Sequence, residues 1–281
     1  MVKIALITDT ASDIPKEWVE KYNVHVLPFQ IIYSDIQYRD QIDITSKEVF
    51  EGFEQEIPTT SMPSLEDMQN TFQKIVDDGY THAIAITLSS GLSGCWNGIN
   101  MVKEQFPQLE TYVYDSRTIS FGQAVLVKRA GEMIAQNKTI EEIIPALDRL
   151  LGNQQTFFIV GTLKYLITGG RIGHVSGLLG TVLNLKPIIS IGEDGKYFTY
   201  STVRGKNRAL RSLAKYASEI VANKPCSIYV VHGDAEEEAL NLVEKVKHLP
   251  NIIHATFGGL LSPVACVHAG PGFLGMVIVE E

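Results

Sequence analysis

The chain has 281 residues, of which 45% are hydrophobic and 20% charged, and its formal net charge is -8 at pH 7. This length suits two ordinary domains, and the composition is that of a globular protein able to bury a core. The acidic balance argues against a nucleic-acid partner, because such a partner needs a broad basic face that displaces counterions from phosphates.

The first half of the chain alternates predicted strands with predicted helices. We predict strands at residues 3–8, 24–27, 29–33, 83–88 and 111–114, and helices at 14–22, 45–53, 64–78, 92–105, 119–136 and 139–151. Thr45 and Glu48 form a capping-box pattern at the start of the second helix. Residues 58–63 are predicted to form a rigid, hydroxyl-rich loop. Strands alternating with helices in this way indicate a mostly parallel sheet.

The second half of the chain has a different order of predicted strands and helices. We predict strands at residues 156–160, 186–191, 197–203, 227–231, 253–257 and 275–279, and helices at 205–221 and 235–248. Asp194 and Gly195 between two strands predict an antiparallel hairpin. We therefore expect an α/β fold with two domains. The first, residues 1–157, is a three-layer α/β/α domain with a mostly parallel sheet, and the second, residues 158–281, is a two-layer α/β domain with a mixed sheet.

The cysteines and the apolar stretches bear on the compartment. Cys95, Cys226 and Cys266 are widely spaced and form no CxxC pair, so neither a disulfide framework nor a metal site is expected. The longest apolar stretch, residues 177–192, is interrupted by polar residues and is too short to cross a bilayer. We expect a cytoplasmic protein with no integral membrane segment and no cofactor.

Residues 83–94 combine a buried strand with a serine- and glycine-rich turn that leads into a helix. The first N–H groups of a helix lack partners within it, and the helix dipole favours negative charge there. This turn is therefore a candidate anion site, with Ser93 and Gly94 at its centre. Serine is also a preferred N-cap, so an ordinary capped turn is the alternative interpretation.

Three further polar features are candidates. Asp9 and Asp13 follow the first strand and suit a metal, although capping of the helix that begins at residue 14 is the favoured interpretation. His268 is predicted to lie in a glycine-rich loop, where its imidazole can donate to a carboxylate or be merely structural. Arg171 and Arg204 belong to basic clusters that either are solvated or dock an acidic or phosphate-bearing partner.

A serine hydrolase is a second hypothesis from the same residues. Ser93, His268 and Asp115 supply a nucleophile, a base and an orienting carboxylate on paper. The serine lacks the G-x-S-x-G context of a nucleophile elbow, which argues against this hypothesis. The glycine fingerprints of nucleotide-binding loops are also missing, so nucleotide binding by this chain is disfavoured.

Taken together, five stretches resemble the DegV family in order and spacing over essentially the whole chain. They are Asp9-Thr10-Ala11-Ser12-Asp13, Thr60-Ser61-Met62-Pro63-Ser64, Leu88-Ser89-Ser90-Gly91-Leu92-Ser93-Gly94, Gly169-Gly170-Arg171-Ile172 and His268-Ala269-Gly270-Pro271-Gly272. The resemblance implies a bacterial two-domain α/β protein that holds one long-chain fatty acid between its domains. It further implies a carrier, without catalysis of its own, that serves the ATP-binding subunit of a fatty acid kinase in phospholipid synthesis.

By the same resemblance, the carboxylate is expected to be held by Thr60 or Ser61, by Ser93 with the Gly94 amide, and by His268. Arg171 and Arg204 would shape the mouth of the pocket or meet the kinase. Met62 stands where the family usually carries Gln, and Cys95 where Thr is common, so hydrogen bonds from these two side chains are not carried over.

The acyl tail is expected in an apolar tunnel, lined by helices such as residues 119–136 and 178–185. Transient contact with a membrane surface is compatible with such a carrier. A serine esterase or lipid hydrolase using Ser93 and His268 is the alternative enzyme, and a regulatory module that binds another small carboxylate is a third hypothesis.

Overall fold

The computed structural model describes residues 2–178 and 184–281. The contacts divide the chain into two compact units. The first consists of Met1–Leu151 with Ser262–Val264, and the second of Gly152–Leu261 with Ala265–Glu281. No helix in the described part of the chain is long and apolar enough to cross a bilayer.

The first unit contains seven strands and six helices among the described residues. The strands are β1 (Ile4–Asp9), β2 (Val24–Leu27), β3 (Gln30–Ile32), β4 (Gln37–Arg39), β5 (Thr59–Ser61), β6 (His82–Thr87) and β7 (Glu110–Asp115). The helices are α1 (Lys16–Tyr22), α2 (Ser46–Gly52), α3 (Leu65–Asp77), α4 (Cys95–Lys103), α5 (Phe121–Ala135) and α6 (Ile140–Gly152), whose last residue belongs to the second unit. The capping box of Thr45 and Glu48 is confirmed.

The core of the first unit is a four-stranded sheet with the order β2-β1-β6-β7, in which every pair is parallel. Its two central strands, β1 and β6, are mostly apolar and buried, as expected where both faces of a parallel sheet are covered. Leu6, Ile84 and Ile86 project from one face into a cluster with residues of α5 and α6. Helix α4 packs on β6 and β7, and α3 packs on α4. The predicted three-layer arrangement is therefore confirmed.

The second unit contains a six-stranded mixed sheet. Its strands are β8 (Gln154–Ile159), β9 (Leu185–Ile191), β10 (Tyr197–Arg204), β11 (Cys226–Gly233), β12 (Ile252–Leu260) and β13 (Phe273–Glu280), in the order β10-β9-β8-β13-β11-β12. Its helices are α7 (Lys164–Thr168), α8 (Lys206–Val221), α9 (Glu236–Val246) and α10 (Pro263–Ala269), whose first two residues belong to the first unit. The β9–β10 hairpin is antiparallel, as predicted, and Gly195 in its turn has φ 71°.

The faces of α8 and α9 form one core with the sheet. Leu213 of α8 and Leu242 of α9 lie in the same buried cluster as Phe157 of β8 and Met276 of β13. The predicted boundary after residue 157 falls inside β8, whereas the contacts divide the chain just before that strand. The difference arises because β8 pairs with β13 along its whole length.

Several local predictions differ from the structure. Residues 59–61 form strand β5, not a loop, because they pair with β3 and carry β-branched threonines that suit a strand. Helix α4 begins at Cys95, three residues later than predicted, because residues 89–93 close a turn of their own. Short helices α7 and α10 were not predicted. Most of the predicted tunnel helix at residues 178–185 lies outside the described residues.

Candidate functional site

The turn after β6 is held in place by the carboxylate of Asp9 at the end of β1. Asp9 Oδ2 accepts the Leu88 N–H at 2.7 Å, and Oδ1 accepts the Ala11 N–H at 3.2 Å. The carbonyl of Ser89 then accepts the N–H groups of Leu92 and Ser93, at 3.0 and 3.1 Å. These bonds shape residues 89–93 without using the Ser93 hydroxyl.

Ser93 and Gly94 lie directly before α4. Ser93 is half-buried and Gly94 is exposed. Ser93 Oγ accepts the Cys95 N–H at 3.1 Å, and Gly94 occupies the N-cap position with φ -78°. Because this oxygen already accepts an amide proton, its own hydroxyl proton is the group that can be donated to a ligand. The turn thus offers a hydroxyl donor at the positive end of a helix, which suits an oxyanion.

Asp115, the orienting carboxylate of the hydrolase hypothesis, accepts hydrogen bonds from the loops around it. Its Oδ1 accepts the N–H groups of Ser90 and Arg117, each at 3.0 Å, and its Oδ2 accepts the Ser90 hydroxyl. Ser90 therefore has a structural role in this turn. This arrangement gives Asp115 a loop-holding function and lends no support to a triad.

Thr60 and Ser61 cannot both face one ligand, because successive side chains of a strand point to opposite faces. Thr60 pairs with Ile31 of β3, which is fully buried, and Ser61 pairs with Gln30. Thr60 is half-buried and Ser61 is exposed. The pairing therefore separates the two expected carboxylate ligands, and only one of them can serve.

The acidic loop after β1 stabilises the first unit, because Asp9 and Asp13 accept hydrogen bonds from backbone N–H groups. Asp9 caps the short helical turn at Thr10–Ser12, whereas the predicted cap of α1 is not formed, since Pro15 precedes that helix without a side-chain bond. Asp13 accepts hydrogen bonds from the Ser120 hydroxyl and from the Ser262 N–H, the latter at 2.8 Å. No cluster of His, Cys, Asp or Glu suited to a metal occurs among the described residues.

Three carboxyls near this loop are buried, and burial raises the pKa of each. The pKa of Asp9 rises to about 6, despite hydrogen bonds from Leu88 and Gln123 that lower it. The pKa of Asp13 is also raised by burial. Burial, with a smaller contribution from the neighbouring charges of Asp13 and Asp9, raises the pKa of Asp40 to about 7. Asp40 Oδ1 accepts the Val264 N–H at 3.2 Å.

His268 lies in the last turn of α10, not in the predicted loop, and is half-buried. Its ring packs directly on the backbone of Gly169: a methyl group added there would lie 2.1 Å from Nδ1. Burial, together with the nearby charge of Arg171, lowers the pKa of His268 to about 4. The imidazole is therefore neutral at pH 7 and has one proton to donate.

The ends of α7 and α10 interlock within the second unit. The His268 ring covers Gly169 after α7, and the Tyr165 ring of α7 covers Gly270 after α10, where an added methyl group would lie 2.1 Å from Cδ2. Arg171 follows Gly169 and Gly170, and its Nη1 donates to the Gly169 carbonyl at 2.6 Å. Arg171 thus lies close to His268, whereas Arg204 is exposed at the end of β10.

Arg204 begins a basic stripe that continues on α8 with Arg208, Arg211 and Lys215. Arg208, Arg211 and Lys215 recur at intervals of three and four, so they share one side of the helix, and Arg204 precedes that helix at the end of β10. The buried residues of α8, which are Ala209, Leu213, Ala217 and Val221, lie on the opposite side. Lys215 pairs with Glu219 at 3.5 Å, while no ion pair within the described residues involves the three arginines.

The structure therefore brings the expected site residues together in two groups. In the first unit, the Met62 side chain, two residues from Thr60, contacts the start of α4 beside Ser93 and Gly94. In the second unit, His268 lies beside Arg171. Sequence patterns placed Gly169 in a glycine-rich stretch but gave it no role of its own, and they did not single out Asp40, which looks like an ordinary polar residue until its burial is known.

The first unit has a parallel sheet with a serine turn at its carboxyl end, and the second has a mixed sheet with a buried neutral imidazole. Together these features define a class of two-unit α/β proteins whose loops suit a small anion. A family model described as "Uncharacterised protein, DegV family" matches residues 3–281. The chain belongs to the DegV family.

Relatives and solved structures agree with this assignment. A DegV domain-containing protein of Clostridium acetobutylicum is 47% identical over 281 residues, which cover 100% of both chains. A fatty acid-binding DegV family protein from Thermus thermophilus is similar over 100% of both chains, with TM-score 0.90 and 28% identity. A stearic acid-binding protein from Eubacterium ventriosum has TM-score 0.88 and 28% identity, with 100% of this chain and 98% of that chain covered.

Proposed function

We propose that this protein binds one long-chain fatty acid and presents its carboxylate to a separate fatty acid kinase subunit. The single observation that carries the proposal is the hydrogen bonding of Ser93. Its hydroxyl oxygen accepts the Cys95 N–H, so its hydroxyl proton can be donated to a carboxylate. Fatty acid binding by the similar proteins from Thermus thermophilus and Eubacterium ventriosum supports the same conclusion.

The head group is held, in this proposal, by Ser93 with the Gly94 amide, by one of Thr60 and Ser61, and by His268. Thr60 is the better candidate of the two hydroxyls, because it shares the face of the buried Ile31 while Ser61 is exposed. A neutral His268 donates one hydrogen bond without placing a second full charge in the site, which suits reversible carriage of an anion.

The tail contributes most of the affinity in this proposal. Burial of about 14 methylenes contributes on the order of 10 kcal/mol before ordering costs are subtracted. The hydrogen bonds to the carboxylate therefore set its orientation more than its total affinity. A carrier needs this division of roles, because the head group must be presented while the tail stays sequestered.

The partner in this proposal is the ATP-binding kinase subunit, which transfers the γ-phosphoryl group of ATP to a carboxylate oxygen and leaves ADP and an acyl phosphate for phospholipid synthesis. The basic stripe of Arg204, Arg208, Arg211 and Lys215 supports docking to an acidic surface, since it stands out on a chain with a net charge of -8. Arg171 and Arg204 are assigned to the pocket mouth or to this docking surface.

The lipid-binding part is tested by denaturing extraction of the purified protein and mass spectrometry of the released molecules. We expect a near-stoichiometric fatty acid, with a blank from an unrelated protein expressed identically. An extract that is empty, and stays empty after incubation with fatty acids, would refute the carrier and favour the regulatory module that binds another small carboxylate. Turnover of an activated ester with covalent labelling of Ser93 would instead support the esterase hypothesis.

The head-group assignment is tested with Ser93→Ala. We expect about ten-fold weaker binding of a fatty acid, because one hydrogen bond to a charged carboxylate is removed. Ser90→Ala is the matched control on the same turn, since its hydroxyl is bound to Asp115 and not directed to a ligand. Equal affinities of Ser93→Ala and the wild-type protein would show that the carboxylate lies elsewhere.

The docking surface is tested by reversing charge at Arg208 and Arg211 together. We expect slower phosphoryl transfer by a supplied kinase subunit and unchanged fatty acid affinity, because these side chains point away from the core of the second unit. The defect should shrink as salt is raised, since screening weakens the wild-type attraction. Wild-type transfer rates at low salt would exclude this surface.

A further inference from the structure

Gly94, the N-cap residue of α4, and Gly98, one turn further along the helix, together form a groove on its surface. A methyl group added at Gly98 would lie 3.0 Å from Met62 Sδ and 3.1 Å from Met68 Cε, and one at Gly94 would lie 3.8 Å from the same sulfur. Neither glycine has a positive φ. Gly98 therefore leaves space that Met62 and Met68 fill, whereas a methyl group at Gly94 would make an ordinary contact with Met62.

Glycine inside a helix is an expensive way to leave space, since it destabilises a helix by about 1 kcal/mol relative to alanine. Gly98 lies in the middle of α4 and is buried. On one side it meets Met68 of α3, which belongs to the core. On the other side it meets Met62, which is 40% exposed and belongs to the connection between β5 and α3. The groove therefore combines a core contact to Met68 with a contact to the partly exposed Met62.

Met62 is restrained on both sides of the chain. It follows Ser61, the last residue of β5, and precedes Pro63, which limits Met62 to extended backbone conformations. An unbranched thioether with three rotatable bonds adapts readily to a shallow groove. The contact therefore joins β5, which carries Thr60, to the start of α4, which follows Ser93 and Gly94.

We propose that Met62 is a positioning residue that, by filling the Gly94–Gly98 groove, fixes the distance between the Thr60 loop and the Ser93 turn. The inference rests on the proposed function, because these two segments are the ones assigned to the carboxylate in the first unit. One residue, Ser61, separates Thr60 from Met62, so a shift of the Met62 backbone moves the Thr60 hydroxyl with it. Hydrogen bonds weaken steeply over such displacements.

The test exchanges the sizes of the two contacting residues. Gly98→Ala fills the groove and should displace Met62, whereas Met62→Ala empties it; the double variant restores a close fit with a small residue on each side. The readout is the ratio of affinities for a fatty acid and for the fatty alcohol of the same length. This ratio isolates recognition of the carboxylate, because the tail is identical in both ligands.

We expect each single variant to lower the ratio about ten-fold, the loss of roughly one hydrogen bond to a charged group, and the double variant to recover part of it. Met62→Leu, which keeps the volume, should keep the wild-type ratio. Met101→Ala is the matched control on the same helix, because Met101 is 72% exposed and lies away from the groove.

The outcomes separate the inference from the function on which it rests. Lower melting temperatures with an unchanged affinity ratio in both single variants would overturn the positioning role and leave Met62 as a packing residue. A wild-type protein that binds neither ligand would refute the proposed function itself. A ratio that falls in Met101→Ala as much as in Met62→Ala would also overturn the inference, since the effect would then not depend on the groove.

Discussion

Replacement of Gly169 by alanine is expected to displace the His268 ring and to weaken fatty acid binding by about ten-fold or more. The added methyl group would lie 2.1 Å from Nδ1 and 2.6 Å from Cε1 of His268, far inside contact distance. Gly169 has φ -76°, so alanine meets no backbone strain there. The fold should survive, because a side chain that can rotate relieves the overlap.

The displacement has a direct signature in the titration of His268. Burial, with the charge of Arg171, holds the pKa of the wild-type imidazole near 4. A ring pushed toward solvent should regain a pKa closer to 6.5, the usual value for histidine, because its charged form is no longer desolvated. NMR titration of the histidine resonances measures this shift, and it does so whether or not a ligand is present.

Gly170→Ala is the control, because Gly169 leaves space for the His268 ring whereas Gly170 has a backbone conformation that favours glycine. Gly170 has φ 70° and open space around its Cα, so alanine there costs about 1 kcal/mol of stability but touches nothing. We expect Gly170→Ala to lower the melting temperature and to leave both the His268 pKa and fatty acid affinity unchanged. A His268 pKa that stays near 4 in Gly169→Ala would contradict the packing of the His268 ring on Gly169.

The architecture was predictable wherever a local pattern decides the structure. The apolar run at residues 83–88 predicts a buried parallel strand, and β6 occupies residues 82–87. Asp194 and Gly195 predict a hairpin turn, which forms because glycine adopts a positive φ at no steric cost. Thr45 and Glu48 predict a helix start for the same reason, since both halves of the capping box are local.

The prediction failed where contacts distant in sequence decide the structure. Strand β5 has only three residues, and it is a strand because β3 pairs with it. Helix α10 is followed by Gly270 and Pro271, which made the surrounding segment resemble a loop. The N–H of Ser262, just before the helix, and the N–H of Val264 in its first turn are bound by the carboxylates of Asp13 and Asp40, 249 and 224 residues earlier in the chain. No local sequence pattern predicts hydrogen-bond partners so distant in the chain.

The candidate site shows the same limits. The serine turn after β6 could be located from its composition, because hydroxyls and glycines that follow a buried strand are typical of the turn that leads into a helix. The opposite orientations of Thr60 and Ser61 could not, because they depend on β5 being a strand. The space that Gly98 leaves for Met62 likewise follows only from the packing of α4 against the β5 connection.

The same long-range contacts lead to a pH dependence of stability. Asp40 is fully buried, and burial raises its pKa from 3.8 to about 7. A carboxyl with a raised native pKa contributes stability that is fully present below pH 3.8 and is lost as the pH rises through about 7, because the native state binds the proton more tightly than the unfolded state. Asp40→Asn removes this proton equilibrium and keeps an oxygen for the Val264 amide.

We therefore expect the free energy of unfolding of the wild-type protein, relative to Asp40→Asn, to fall by up to about 4 kcal/mol between pH 4 and pH 8. Denaturant unfolding of both proteins at several pH values measures the difference. Asp43→Asn is the control, since Asp43 is exposed, is paired with Arg39, and has a lowered pKa that keeps it ionised throughout this range.

Parallel pH curves for the wild-type protein and Asp40→Asn would show that Asp40 does not carry this equilibrium. A difference that falls steadily from about pH 4 and levels off above about pH 7 would identify the buried cap of α10 as its origin, because Asp40 is the carboxyl that combines complete burial with a bond to that helix.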